Sequence, residues 1–158
     1  MSTRSSAEGF SLIEALIAML ITATAFTAAV QLLIQASAAS RGARLVTRAS
    51  MLATSKMEEL QSLTYTVGDD GAEVEDERLA ESPEGTLTND VPDYCEWFDG
   101  AGHPMSGVTR PAGASLVRRW SIRALEGDGD ALALQVRVAT VAGQPLATFT
   151  AIRTRRGG

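Results

Sequence analysis

One histidine and one cysteine are the first limits that this 158-residue chain sets. With His103 alone, in a Gly-Pro-rich loop, neither a histidine-rich metal site nor a Ser-His-Asp triad can be assembled. A lone Cys95 excludes an intramolecular disulfide. In an oxidising compartment it is a buried thiol, an intermolecular bridge or a reactive group, and burial as a small hydrophobe is the favoured reading. No phosphate-cradling loop of the Walker type occurs. Lys56 is the only lysine, every other base being arginine, which reads as composition bias. Aromatic residues make up 5% of the chain, so any core is modest. Asp69, Asp70, Asp128 and Asp130 have oxygens to offer calcium, but Gly127-Asp128-Gly129-Asp130 lacks the ligand spacing of an EF-hand and reads as a hairpin turn. The expectation is a protein that is not an enzyme, with no metal, no cofactor and no small-molecule substrate.

What the chain does have is a long apolar run from Gly9 to Ile34, free of proline and carrying one ionisable residue, Glu14. About 20 apolar residues cross a hydrocarbon core as a helix, so this run is long enough to span. A carboxylate there costs about 2.5 to 3.5 kcal/mol on insertion scales and calls for a partner. Two readings of the run stand. In one it is retained as a membrane helix. In the other it is a cleaved secretory signal, with Ala36-Ser37-Ala38 as the cut and a soluble mature protein beginning near Ala39. The run exceeds the usual h-region of 7 to 15 residues, and the glutamate inside it also speaks for the first reading. By charge alone, Arg41, Arg44 and Arg48 outnumber Arg4 and would place the C-terminal side in the cytoplasm.

A short polar leader ending in Gly9, then Phe10, a hydroxyl residue, two aliphatics and Glu14 opening an apolar helix, resembles the prepilin signal of type IV pilins and type II secretion pseudopilins. The resemblance implies cleavage between Gly9 and Phe10 by a prepilin peptidase on the cytoplasmic side and methylation of the new terminus at Phe10. It further implies pairing of Glu14 with a neighbouring subunit's N-terminal amine during assembly. The residue before the glycine, usually basic in that family, is here Glu8. Major pilins often kink this helix with a proline; its absence is common in minor pilins and pseudopilins. Ser55 to Leu60, S-K-M-E-E-L, and the strands Arg119 to Arg123 and Leu134 to Val141 also resemble those of V-type minor pilins and I-type minor pseudopilins. The implied partners are the prepilin peptidase, other pilin or pseudopilin subunits, the inner membrane and assembly platform proteins. The implied place is the inner membrane, single-pass, with the C-terminal head outside the cytoplasm and then in a periplasmic or cell-surface filament.

Beyond the run, Leu45, Ala49, Leu52, Lys56, Leu60 and Leu63 recur at three-to-four-residue spacing with Ala53 and Met57 beside them. This is the stripe of an amphipathic helix docked on a domain. Residues 64–115 are rich in turn formers and read as a variable loop region, with short strands at Gly85 to Leu87 and Tyr94 to Phe98. The aromatic cluster Tyr94, Trp97 and Phe98 reads as a core plug rather than a partner patch. From Leu116 the period becomes two, broken at Arg118, and the turns at 127–130 and 143–145 define a three-stranded antiparallel meander over 116–158, with Thr154 to Gly158 as a frayed tail. The fold class is therefore α+β and pilin-like: leader 1–9, membrane and filament-core helix 10–34, amphipathic helix 35–63, loops 64–115 and meander 116–158.

Charge is segregated along the head: 65–100 is acidic except for Arg78, and later residues are mostly arginine. Either this polarises the head so that neighbours recognise each other, or it makes two solvated faces. Arg137, Arg153, Arg155 and Arg156 suggest phosphate contacts of a DNA-binding competence pilin, but they lack an aromatic platform and nucleic acid is not the expected partner. Mass analysis of the mature N-terminus separates the main readings: a methylated Phe10 is expected, and a terminus near Ala39 would establish the secretory signal instead.

Overall fold

The computed structural model describes residues 11–67, 72–107, 109–125 and 128–155. The chain divides into two compact units, Met1–Ala43 and Arg44–Gly158, and one helix, α1 (Leu12–Ser62), contributes to both. α1 contains no proline and one glycine, Gly42, so nothing in its interior removes a backbone hydrogen bond. Ser11 precedes it, and the Ser11 carbonyl accepts the first bonds, from the amides of Glu14 (3.0 Å) and Ala15 (3.1 Å).

In the second unit α1 buries Ala49, Ala53, Lys56, Met57 and Leu60, the stripe that the spacing predicts. Two alanines at its centre allow close approach to a sheet. Two short strands, β1 (Tyr65–Val67) and β2 (Glu73–Glu75), pair as a separate hairpin, and a single 3-10 turn follows at Glu77–Leu79. The main sheet holds β3 (Cys95–Phe98), β4 (Pro104–Met105), β5 (Leu116–Leu125), β6 (Asp128–Thr140) and β7 (Pro145–Thr154). Its order is β4-β3-β5-β6-β7, antiparallel throughout. Trp120 and Ile122 from β5 and Leu132, Leu134, Val136 and Val138 from β6 meet the helix stripe, Tyr65 and Leu79 in one core. The opposite face carries a smaller cluster of Trp97, Ala114, Val117 and Ala139, with Cys95 and Met105 against it.

The architecture is the expected α+β helix-on-sheet arrangement, but the sheet is wider than a three-stranded meander. The short strand expected at Tyr94 to Phe98 is β3, residues read as loop supply β4, and where β3 ends other segments of the connection cover the edge of β5. The amide of Trp120 bonds the Tyr94 carbonyl at 3.2 Å. Ser82 donates its amide to the Ile122 carbonyl (2.9 Å) while its hydroxyl accepts the Ile122 amide (3.0 Å). Unpaired buried backbone is costly, so the long connection is drawn onto the sheet. Gly85 to Leu87 is a turn, not a strand: Gly85 adopts φ 78° and its carbonyl accepts the amides of Thr88 and Asn89. The frayed tail is corrected at its start. Thr154 closes β7, and the Arg155 side chain is 4% exposed with its amide bonded to the Asp130 carbonyl at 2.7 Å. Residues 156–158 lie outside the described residues.

Arg118, which interrupts the apolar period of β5, points at the helix and is 8% exposed. Its Nη1 donates to the Leu52 carbonyl (2.7 Å) and to Ser55 Oγ (2.9 Å), and its Nε and Nη2 donate to Glu96 of β3. One guanidinium thus ties α1, β3 and β5 together. Removing it leaves a carbonyl, a hydroxyl and much of a carboxylate without their partner. Arg118→Ala is expected to lower unfolding stability by about 3 kcal/mol, against less than about 0.5 kcal/mol for the exposed Arg123→Ala, as read from urea denaturation of the two variants.

Candidate membrane anchor and assembly segment

Within the first unit every side chain from Leu12 to Ile34 is exposed or nearly so, including Leu12 (81%), Met19 (70%) and Phe26 (72%). Exposure on this scale, all round a helix, is incompatible with water and fits lipid or other helices. α1 is long and apolar enough to cross a membrane. Its hydroxyls are dealt with inside the helix. Thr22 donates to the Ala18 carbonyl (2.7 Å), Thr24 to Ile21 (2.9 Å), Thr27 to Ala23 (2.8 Å) and Ser37 to Leu33 (2.8 Å). No threonine of this stretch needs water, which a hydrocarbon environment demands.

Glu14 sits in the first turn of α1 and is exposed. Among the described residues no cation pairs with it. Ser11-Leu12-Ile13-Glu14 has the S-x-x-E spacing of a capping box, and a carboxylate there complements the positive end of the helix dipole. That signal was legible in the sequence and escapes a reading made for hydropathy alone. Gly9 and Phe10, the expected cleavage and methylation positions, lie outside the described residues.

In the second unit the segregation of charge along the head is reduced by pairing. Three of the later arginines, Arg118, Arg119 and Arg155, fold onto acids distant in sequence, so part of the segregated charge is paired in space. Arg118 binds Glu96, and Arg119 binds Asp90 with Nε at 3.0 Å. Arg155 lies near Glu73 (3.2 Å), Glu75 (3.5 Å) and Asp130 (3.2 Å), with its guanidinium 4.1 Å from the centre of the Tyr65 ring. Asp130, one of the expected turn carboxylates, is thus occupied by arginine; Asp69, Asp70 and the Asp128 side chain lie outside the described residues. Arg153 donates to the carbonyls of Leu60 and Leu63, capping the C-terminal end of α1 with the charge that its dipole favours. Two of the four arginines proposed for phosphate contact are therefore spent on internal structure, and Arg156 lies outside the described residues.

Lys56, in the S-K-M-E-E-L segment, does not face water. It is 6% exposed, 3.0 Å from Glu59 and 3.5 Å from Glu96, with its ammonium 3.9 Å above the Trp120 ring. Tyr94 packs on Trp120 with centroids 6.2 Å apart, and Trp97 and Phe98 are buried, so the aromatic cluster is core. A groove of about 610 Å³ beside them is lined by residues that include Lys56, Glu59, Tyr94, Cys95 and Trp120. Cys95 is half-buried, and burial, with the nearby Asp90 carboxylate next in size, pushes its thiol pKa up.

A single exposed apolar helix leading into a small antiparallel head defines a pilin-like α+β protein. Residues 4–30 match the family model described as the prokaryotic N-terminal methylation motif, so the chain carries the type IV pilin and pseudopilin signal. Comparisons with curated proteins and with solved structures give no match. The motif implies processing by prepilin peptidase and assembly with other pilin subunits, and points to a structural subunit rather than an enzyme. Together with the apolar helix it fits a single-pass inner-membrane anchor. The raised thiol pKa has a direct readout: at pH 7.5 Cys95 is expected to react with iodoacetamide several-fold more slowly in the folded chain than in urea, the rate rising as pH climbs past the ordinary cysteine range.

Proposed function

We propose that the chain is a minor pilin or minor pseudopilin, a structural subunit built into, or priming, a type IV pilus or type II secretion pseudopilus. In this reading the prepilin peptidase removes residues 1–9 by cutting between Gly9 and Phe10 on the cytoplasmic face, and Phe10 is methylated. The head then stands outside the cytoplasm, anchored by α1 in the inner membrane until assembly platform proteins extract the subunit. The match over residues 4–30 carries the reading, and Glu14 supports its mechanism. An exposed carboxylate on an apolar helix, with no counter-ion among the described residues, suits an amine supplied from outside the chain.

Glu14 is proposed to neutralise the Phe10 ammonium of an adjoining subunit. In a water-poor filament core an unmatched charge is penalised by several kcal/mol and a matched pair far less, so the contact selects axial register more than it adds net stability. The uninterrupted, proline-free α1 supports the minor-subunit assignment. Internal pairing of Arg153 and Arg155 weighs against a DNA-binding competence pilin. Glu14→Ala is expected to leave membrane insertion and leader cleavage intact while reducing incorporation into sheared filaments at least tenfold, by immunoblot; incorporation at the wild-type level would overturn the role given to Glu14.

A further inference from the structure

The main sheet ends in two edges that the sequence treats differently. β4 closes one side with two residues, Pro104 and Met105, and a proline there offers no amide to a further strand. β7 closes the other with ten residues, Pro145–Thr154, and among the described residues no strand pairs with its outer side. The devices that blunt an open edge are brevity, charge, proline and bulges. β7 has proline only at its first position, and its pairing irregularity falls beside that end, between Val138 and Ala139. From Leu146 to Ile152 it carries no charge, and the next residue, Arg153, turns its guanidinium to the carbonyls of Leu60 and Leu63. Phe149 and Ile152 of this strand are 39% and 67% exposed.

An unpaired edge is a row of backbone donors and acceptors that another strand satisfies. What singles out the occupant is the order of the residues: Leu146-Ala147-Thr148-Phe149-Thr150-Ala151-Ile152 reads almost the same in both directions about Phe149. We infer that the outer edge of β7 pairs antiparallel with β7 of a second copy of this chain, about a two-fold axis beside Phe149. Antiparallel neighbours related by a two-fold keep the same face of the sheet upward, so one residue must stand opposite its own copy. The palindrome makes that residue Phe149.

In this register Phe149 stands opposite Phe149 of the copy, Thr148 opposite Thr150, Ala147 opposite Ala151 and Leu146 opposite Ile152. Aromatic pairs and threonine pairs are among the cross-strand contacts that stabilise sheets. Thr150 Oγ1 accepts from Gln135 Nε2 at 3.1 Å, and its own proton remains for Thr148 of the copy. Arg153 meets Pro145 of the copy, so no like charges are set opposite each other. The pairing joins two five-stranded sheets into one. It is made by the head alone and does not rest on the filament reading.

The test uses the full chain in detergent, with Cys95→Ser as background so that each added cysteine is the only thiol. Differently tagged Thr148→Cys and Thr150→Cys chains, both altered at exposed positions, are mixed and mildly oxidised. The crossed disulfide dimer is expected at several-fold the yield of either chain alone. Positions 148 and 150 face each other at about 4.5 to 5.5 Å, whereas each meets its own copy only on the diagonal, at about 7 to 8 Å, beyond ordinary disulfide reach. Equal yields from all three samples, or no crossed dimer, overturn the pairing. Phe149→Lys should weaken self-association on the order of tenfold in sedimentation equilibrium, an aromatic pair being lost and two like charges set opposite. An equal mixture of Phe149→Lys and Phe149→Glu should recover most of it. Self-association that Phe149→Lys leaves unmoved is held by another surface and overturns the inference. A wild-type chain that is monomeric by both readings overturns it too, and leaves the edge to a strand of another protein. Should Phe149→Lys fail to fold, the cysteine pair decides alone.

Discussion

Everything in this molecule follows from how the apolar surface of one helix is covered. From Leu12 to Ile34 the helix is apolar on all sides, and no side chain of that stretch is buried. From Ala49 to Leu60 only one stripe is apolar, and it is buried under a five-stranded sheet of the same chain. The first stretch exposes too much apolar surface to be at rest in water, so its cover comes from outside the described residues, as lipid or other helices. The hydroxyls bonded to their own helix carbonyls are the local adaptation to that cover.

The head solves a second problem, the disposal of charge. A small domain with few aromatics has little apolar area with which to hold a wide sheet, and it draws on arginine instead. Arg118 joins helix, β3 and β5, Arg153 closes the helix C-terminus and Arg155 gathers three carboxylates around Tyr65. Fixed guanidinium donors suit such junctions because each satisfies several acceptors in one plane. A consequence for function is that these head charges are committed internally. In the proposed reading, recognition between subunits falls to charges outside these internal pairs, Glu14 in the apolar run among them.

In the proposed reading Glu14 is a register marker on an otherwise apolar helix. Apolar helices slide past one another at little cost, because lipid and side chains are equally greasy. A charge within the run removes that freedom. In the proposed reading Glu14 is that charge, met by an ammonium from a neighbour.

The anchor, the helix stripe and the alternation of β5 to β7 were legible in the sequence, because hydropathy, helix period and strand period are properties of adjacent residues. Ser11 to Glu14 was legible in the same way. Only the tertiary structure decided the rest. The strand at Tyr94 to Phe98 was legible within 64–115, but not that it would join the main sheet beside β5 or that β4 would pair with it, since that depends on unpaired amides on strands still to come. Arg118 looked like a flaw in an apolar face until Glu96, 22 residues away, and Leu52, 66 away, were brought to it. Arg155 and Glu75 stand 80 positions apart. A charge carries no mark of the partner that will neutralise it, so segregation along the chain became pairing in space.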